Sequence, residues 1–233
     1  MGIDAKELKL AVLDRLDQAE KVVIGLGGEW ELADDGRPVR ERSLLRDEAQ
    51  SRLRSAYEAL YGLVKHKDCY LVTTVTDGAV YDTPFDEKRI VAPCGNIHWR
   101  QCSKSCTKDI WEEGEAEGDI CPHCGAPLTG NTIQAEKYIE EGYLPRWAAY
   151  KTWQAGTLNR SLLMLELGVG FDSPTVIRWP FEKIVYVNQK SYLLRVHRTL
   201  SQLPGEVGER AGRVAMDSVD WILALAAEAG ARR

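Results

Sequence analysis

No stretch of the 233 residues approaches the roughly 18 to 20 consecutive apolar positions that a membrane-spanning helix needs. The start of the chain lacks an apolar leader too, and its alternating charges fit a cytoplasmic protein rather than a secreted one. Residue 6 is Lys6, where an N-myristoylation signal starting at Gly2 takes Ser or Thr, so no lipid anchor is expected. Positive charge is in short supply as well. With 30 Lys and Arg against 35 Asp and Glu, net −5, the chain lacks the cationic excess with which a general nucleic-acid binder neutralises phosphates. Unpaired cysteine is scarce: four of the six fall into two tight pairs, leaving Cys69 and Cys94, and no secreted disulfide framework is in view. Membrane-bound, nucleic-acid-binding and disulfide-scaffold classes are therefore excluded. What remains, 44% apolar and 28% charged, fits one globular domain with a small insertion.

The two pairs, Cys102-Ser-Lys-Ser-Cys106 and Cys121-Pro-His-Cys124, are the most informative feature present. Four soft thiolates at that spacing suit one tetrahedral Zn²⁺, and four sulfurs leave no open position at which water is activated. The spacing predicts a structural zinc rather than a catalytic one. Residues 107–120, between the pairs, are acidic and glycine-containing, too polar to build a core, so the metal is expected to order them. His98 and His123 stand close by, and a Cys₃His set is the alternative.

Apolar spacing at Leu8, Val12, Leu13 and Leu16 predicts a helix, and the apolar run over residues 21–28 reads as a strand ending in a glycine loop. Residues 35–40 read as a turn and 44–64 as a long amphipathic helix. Two buried parallel strands follow, at 70–75 and 90–92, before the cysteine segment. Beyond it come a helix at 146–157, a strand at 162–167 running into Gly168-Val-Gly170, a strand at 183–188 and an amphipathic helix at 214–227. This alternation implies an α/β fold. Its main part is a Rossmann-like open parallel sheet with helices on both faces, built from residues 1–98 and 146–233, and residues 99–145 form a zinc-binding insertion.

Ligands of such sheets bind outside the carboxyl ends of the strands, which directs attention to the loops at 25–30, 73–81, 93–96, 168–171 and beyond 188. The Gly25-Leu-Gly27 turn lets backbone approach a pyrophosphate, and a plain tight turn accounts for it equally well. In their order these parts resemble the sirtuin family, NAD-dependent protein deacylases with a Rossmann-like domain and a zinc-binding insertion, over residues 21–223. The resemblance makes Gly25, Leu26, Gly27 and Glu29 a loop over the NAD phosphates. Val72-Thr-Thr-Val-Thr-Asp77 is similar to the Thr-Gln-Asn-Ile-Asp strand end at the nicotinamide pocket, matching at Thr73 and Asp77, with Val75 in place of the asparagine. Pro93-Cys94-Gly95 stands where the family carries its catalytic histidine before a glycine. Gly168-Val169-Gly170 resembles the Gly-Thr-Ser loop, and Val187-Asn188 the Ile-Asn pair at the adenine-side ribose. The chain departs from the pattern at Cys94, at Val75, at Gly28-Glu29-Trp30, where the family has small and hydroxyl residues, and in its wider first cysteine pair.

Those departures bear on the chemistry. The sirtuin histidine serves as general base for a ribose hydroxyl, whereas a thiol with a pKa of about 8.5 is mostly neutral at pH 7 and accepts hydrogen bonds poorly. Losing a general base costs about 10² to 10⁴ in rate. Cleavage of the nicotinamide bond is less damaged, because it needs positioning and negative charge beside an oxocarbenium-like centre, which Asp77 or Glu29 would supply. The resemblance thus implies NAD as cosubstrate, Cys94 and Asp77 as catalytic candidates, and either protein deacylation or ADP-ribosyl transfer, with an acylated or ADP-ribosylated protein as partner. Two other readings stay open: a module that binds NAD or ADP-ribose without catalysis, and a zinc-ribbon interaction protein. Cys94 itself reads either as a small core residue or as a crevice thiol of lowered pKa. His98 is a displaced-base candidate, His66 and His197 read as helix-surface residues, and the tryptophans as packing.

Overall fold

The computed structural model describes residues 5–32 and 39–232, leaving the side chains of Ala5 and residues 39–47 undescribed. The elements in chain order are α1 (Ala5–Gln18), β1 (Lys21–Leu26), α2 (Val39–Val64), β2 (Asp68–Thr73), β3 (Ile90–Val91), β4 (Gly95–Cys102) and β5 (Ile110–Glu112). They continue with β6 (Leu128–Thr132), α3 (Leu144–Ala155), β7 (Leu162–Leu167), α4 (Arg178–Val187), β8 (Ser191–Val196), β9 (Ala211–Val214) and α5 (Ser218–Ala231). Most of the turn expected over residues 35–40 lies outside the described residues.

Strand periodicity divides the core. Val22, Ile24 and Leu26 of β1 face one way, into a cluster with Leu13 and Leu16 of α1, Tyr57 and Leu60 of α2 and Ile222 of α5. Val23 faces the other way, with Met164 of β7, Tyr150 of α3 and Phe181 and Val185 of α4. Helices therefore cover both faces of a six-stranded sheet of order β3-β2-β1-β7-β8-β9, in which every pairing is parallel. From β1 the chain winds outward to β3, then returns to β7 on the other side of β1. The order reverses there, and the carboxyl ends of β1 and β7 are where a sheet of this topology receives a ligand.

One sequence expectation is overturned. Residues 183–187 are not a strand but the last half of α4, and the next strand begins at Ser191. The run Ile184-Val-Tyr-Val is β-branched and apolar enough to read as extended. Its true period is that of Ile177, Phe181 and Val185, all fully buried at helical spacing against the sheet.

A second sheet, antiparallel in the order β5-β4-β6, carries the cysteine segment. β4 starts at Gly95, directly after the turn that leaves β3, so the small sheet is tied to the edge of the large one. Gly95 adopts φ +87, and a Cβ there would lie 2.1 Å from the carbonyl oxygen of Asn131, so no other residue fits. Among the described residues no helix is long and apolar enough to cross a membrane.

Candidate functional site

Cys102, Cys106, Cys121 and Cys124 converge so that their sulfurs all lie within 4.8 Å of one another. The Cys102–Cys124 and Cys106–Cys121 sulfurs are 3.6 and 3.5 Å apart. Zn–S bonds of about 2.3 Å place tetrahedral sulfurs roughly 3.8 Å apart, so the four thiols fit a structural Zn²⁺ and fill its sphere. Left-handed residues shape both knuckles, Ser105 at φ +50 and Gly125 at φ +69. The Cys₃His alternative falls away: exposed His98 pairs with Glu113 at 3.0 Å and exposed His123 with Asp109 at 2.7 Å. His98 Nδ1 faces Glu113 of the small sheet, while the other edge of its ring lies against Gly78, the neighbour of Asp77.

Of the residues expected in the crevice, two are displaced into strand β1. Gly25 lies beneath α4, where a Cβ would meet Ile177 at 2.4 Å, and Leu26 is wholly in the core. Gly27 and Glu29 do lie in the loop. Gly27 packs on the turn after β7, and Gly28 beyond it is exposed, with open space within 4 Å of the position a Cβ would take. Glu29 is spent on structure: its Oε1 accepts the amide of Arg198 and its Oε2 that of Ser218, both at 2.8 Å. Ser218 opens α5, whose N-cap Asp217 accepts the amides of Val219 and Asp220. Two protein carboxylates thus occupy the positive end of α5. Trp30, fully buried, donates its indole N–H to Ser218 Oγ at 3.1 Å.

At the end of β2, buried Thr73 accepts the Val75 amide through Oγ1. Asp77 accepts the amides of Leu32 and Ala79, which fixes the orientation of its carboxylate beyond the end of β2. Cys94 is buried in the turn between β3 and β4, with Sγ 3.8 Å from Ser173 Oγ. Burial pushes its thiol pKa up, the reverse of the lowering expected at a phosphate-binding crevice. Asn188 is at the wrong end of the sheet. It follows α4, before β8 begins, and its Nδ2 donates to the carbonyls of Thr157 and Arg160. The residue that directly follows β8 at its carboxyl end is His197, which is no helix residue. His197 Nδ1 accepts the amides of Thr199 and Leu200, so Nε2 carries the proton of the neutral ring. Burial lowers its pKa further.

Under the loops after β7 and β8 lies a charged group that the periodicity argument passed over. Arg195 of β8 grips Glu166 of β7 through Nε at 2.6 Å and Nη2 at 2.9 Å, and also bonds Glu182 of α4 at 2.7 Å. Arg178, the first residue of α4, sits 3.3 Å from Glu166. Glu166, Arg178 and Arg195 are all essentially solvent-free, and with Glu182 the set is neutral. The signal was present in the sequence: one acid inside Leu-Leu-Met-Leu-Glu-Leu and one base inside Tyr-Leu-Leu-Arg-Val are intolerable in a buried sheet unless they pair.

No family model matches the sequence. Over 173 residues the chain is 23% identical to the "Protein ADP-ribosyltransferase" of Staphylococcus aureus, covering 66% of this chain and 55% of that protein. It is 24% identical over 141 residues to a "Probable bifunctional ADP-ribose hydrolase/ADP-ribosyltransferase" of Fusarium oxysporum f. sp. cubense, covering 51% of this chain and 24% of that one. The chain thus spans about half or less of the curated relatives it matches. Two point mutants described as Sir2 homologues, each solved as an ADP-ribose complex, superpose with TM-scores of 0.60 and 0.59 at 11% identity, covering 95% of this chain and 96% of theirs. The chain thus has the Sir2 fold, and it carries a four-cysteine cluster that fits a structural zinc.

Proposed function

We propose that the crevice between the β1 and β7 loops binds NAD and that the protein transfers its ADP-ribosyl group to an acceptor protein instead of deacylating acyl-lysine. The observation that carries this reading is Cys94: the residue standing at the family histidine is a buried thiol held protonated, unable to serve as a general base. In the transfer, the C1′–N bond breaks and nicotinamide departs with the bonding pair as a neutral amide. The acceptor nucleophile forms its bond to C1′ and releases its proton to solvent. Asp77 and Glu29, each oriented by two backbone amides, are the carboxylates that would face the cationic centre, and exposed Gly28 would leave its backbone open to phosphates. The names of the Staphylococcus and Fusarium relatives support the choice of reaction. A reducing, cytoplasmic setting suits a four-thiolate zinc site.

The test is product analysis with labelled NAD, an acetyl-lysine peptide and candidate acceptor proteins. ADP-ribosylated protein with no O-acyl-ADP-ribose is the expected outcome; stoichiometric O-acyl-ADP-ribose would overturn it. A second reading, binding without catalysis, is favoured by one observation: Asp77 is already committed to two backbone amides. ADP-ribose binding with no nicotinamide release selects it.

A further inference from the structure

We infer that Arg178 is a positioning residue for the nucleotide, a buried staple that holds the loops after β7 and β8 in register so that the crevice is formed before ligand arrives. This deepens the nucleotide reading above and rests on it. Arg178 Nη2 donates to the carbonyl of Val169 at 2.6 Å and to that of Leu200 at 2.9 Å. Val169 belongs to the Gly168–Gly170 turn and Leu200 to the loop that follows His197, so one guanidinium joins two segments separated by a strand and a helix. Arg195 adds a third tie, to the Gln202 carbonyl at 2.5 Å. Above Arg178 the exposed Phe171 ring lies 4.5 Å over the guanidinium carbon, covering it from solvent.

Stability alone does not explain this arrangement. Buried ion pairs rarely outperform apolar side chains of similar volume, because taking the charges out of water costs most of what their attraction returns. The strand that carries Glu166 is otherwise apolar, Leu162, Leu163, Met164, Leu165 and Leu167 all being buried. What an apolar replacement cannot do is donate to two loop carbonyls at once. A planar guanidinium does so in a fixed geometry, and a lysine does not. Glu166, 3.3 Å from Nη2, supplies the buried counter-charge that offsets the guanidinium's loss of water.

The experiment compares wild type with Arg178→Lys and with the double variant Glu166→Gln/Arg178→Gln, which leaves no buried carboxylate without a partner. Three readouts are taken: thermal midpoint, amide hydrogen exchange in residues 168–171 and 198–203 without ligand, and ADP-ribose affinity by calorimetry. Arg178→Lys is expected to keep cooperative unfolding, exchange faster in both loops, and bind ADP-ribose about tenfold more weakly or worse. If Arg178→Lys fails to fold, the double variant carries the same prediction. Unchanged loop exchange with wild-type affinity in a folded variant overturns the staple. Absence of ADP-ribose binding by wild type overturns the nucleotide reading instead, and the ligand-free exchange still decides whether Arg178 holds the loops.

Discussion

A Cβ on Gly27 would lie 2.4 Å from the carbonyl oxygen of Gly168, so the turn after β1 and the turn after β7 are in direct backbone contact. Gly168 itself adopts φ +64 and abuts Glu29, whose Cβ would be 2.5 Å from any added methyl. These two glycines are required by the close approach of the two turns, which explains their identity without a ligand. Gly27→Ala is expected to destabilise the fold by about 1 to 3 kcal/mol and to weaken ADP-ribose binding, since the backbone must shift. Urea unfolding and calorimetry measure both; a folded Gly27→Ala protein with wild-type affinity would show that the contact is not needed.

The ribbon has few apolar anchors besides Cys102, Cys121, Ala126, Trp111 and Leu128. Its order therefore depends on metal. One zinc per chain is expected by elemental analysis, and chelation should lower the melting midpoint and expose residues 103–130 to protease. A metal-free protein that melts and resists proteolysis like the loaded one contradicts this.

Cys94 is expected to be chemically quiet. Its burial and raised pKa predict slow modification by thiol reagents at neutral pH, and Cys94→Ser should leave nicotinamide release unchanged at a stability cost of about 1 kcal/mol. Loss of release in a folded Cys94→Ser protein would make the thiol part of the chemistry.

Acid should loosen the crevice through His197. Burial holds its pKa below 6.5, against the opposing pull of Glu29, with Arg178 and Arg198 lowering it further and Asp217 raising it. A depressed histidine pKa means the unfolded chain takes up the proton first. The contribution to stability is therefore complete above about pH 6.5 and is lost as pH falls through the folded value. Protonation also removes the Nδ1 acceptor from the amides of Thr199 and Leu200. Melting midpoints from pH 7.5 to 5 should fall in wild type and fall less in His197→Asn, which keeps an acceptor without a titration. Parallel curves would remove His197 from the account.

Much of the fold was legible because parallel strands buried on both faces announce themselves as apolar runs, as β1, β2 and β7 do. The cysteine pairs were legible for the same reason of chemistry, four thiolates having one common use at that spacing. Residues 183–187 misled because a β-branched stretch and a helix stripe of Ile177, Phe181 and Val185 overlap in one short segment. That error also moved the ribose-side expectation to Asn188, whereas the strand end belongs to His197. Glu29 and Asp77 were readable as acids near the crevice, but not as acceptors of backbone amides from loops distant in sequence, since such pairings exist only once the chain has folded.

The most direct test of the account takes one zinc-loaded sample and measures, with NAD and with ADP-ribose, both the shift in melting midpoint and the release of nicotinamide. The account predicts stabilisation by both ligands and steady nicotinamide release from NAD. No stabilisation by either ligand, in a protein that melts cooperatively, would contradict it.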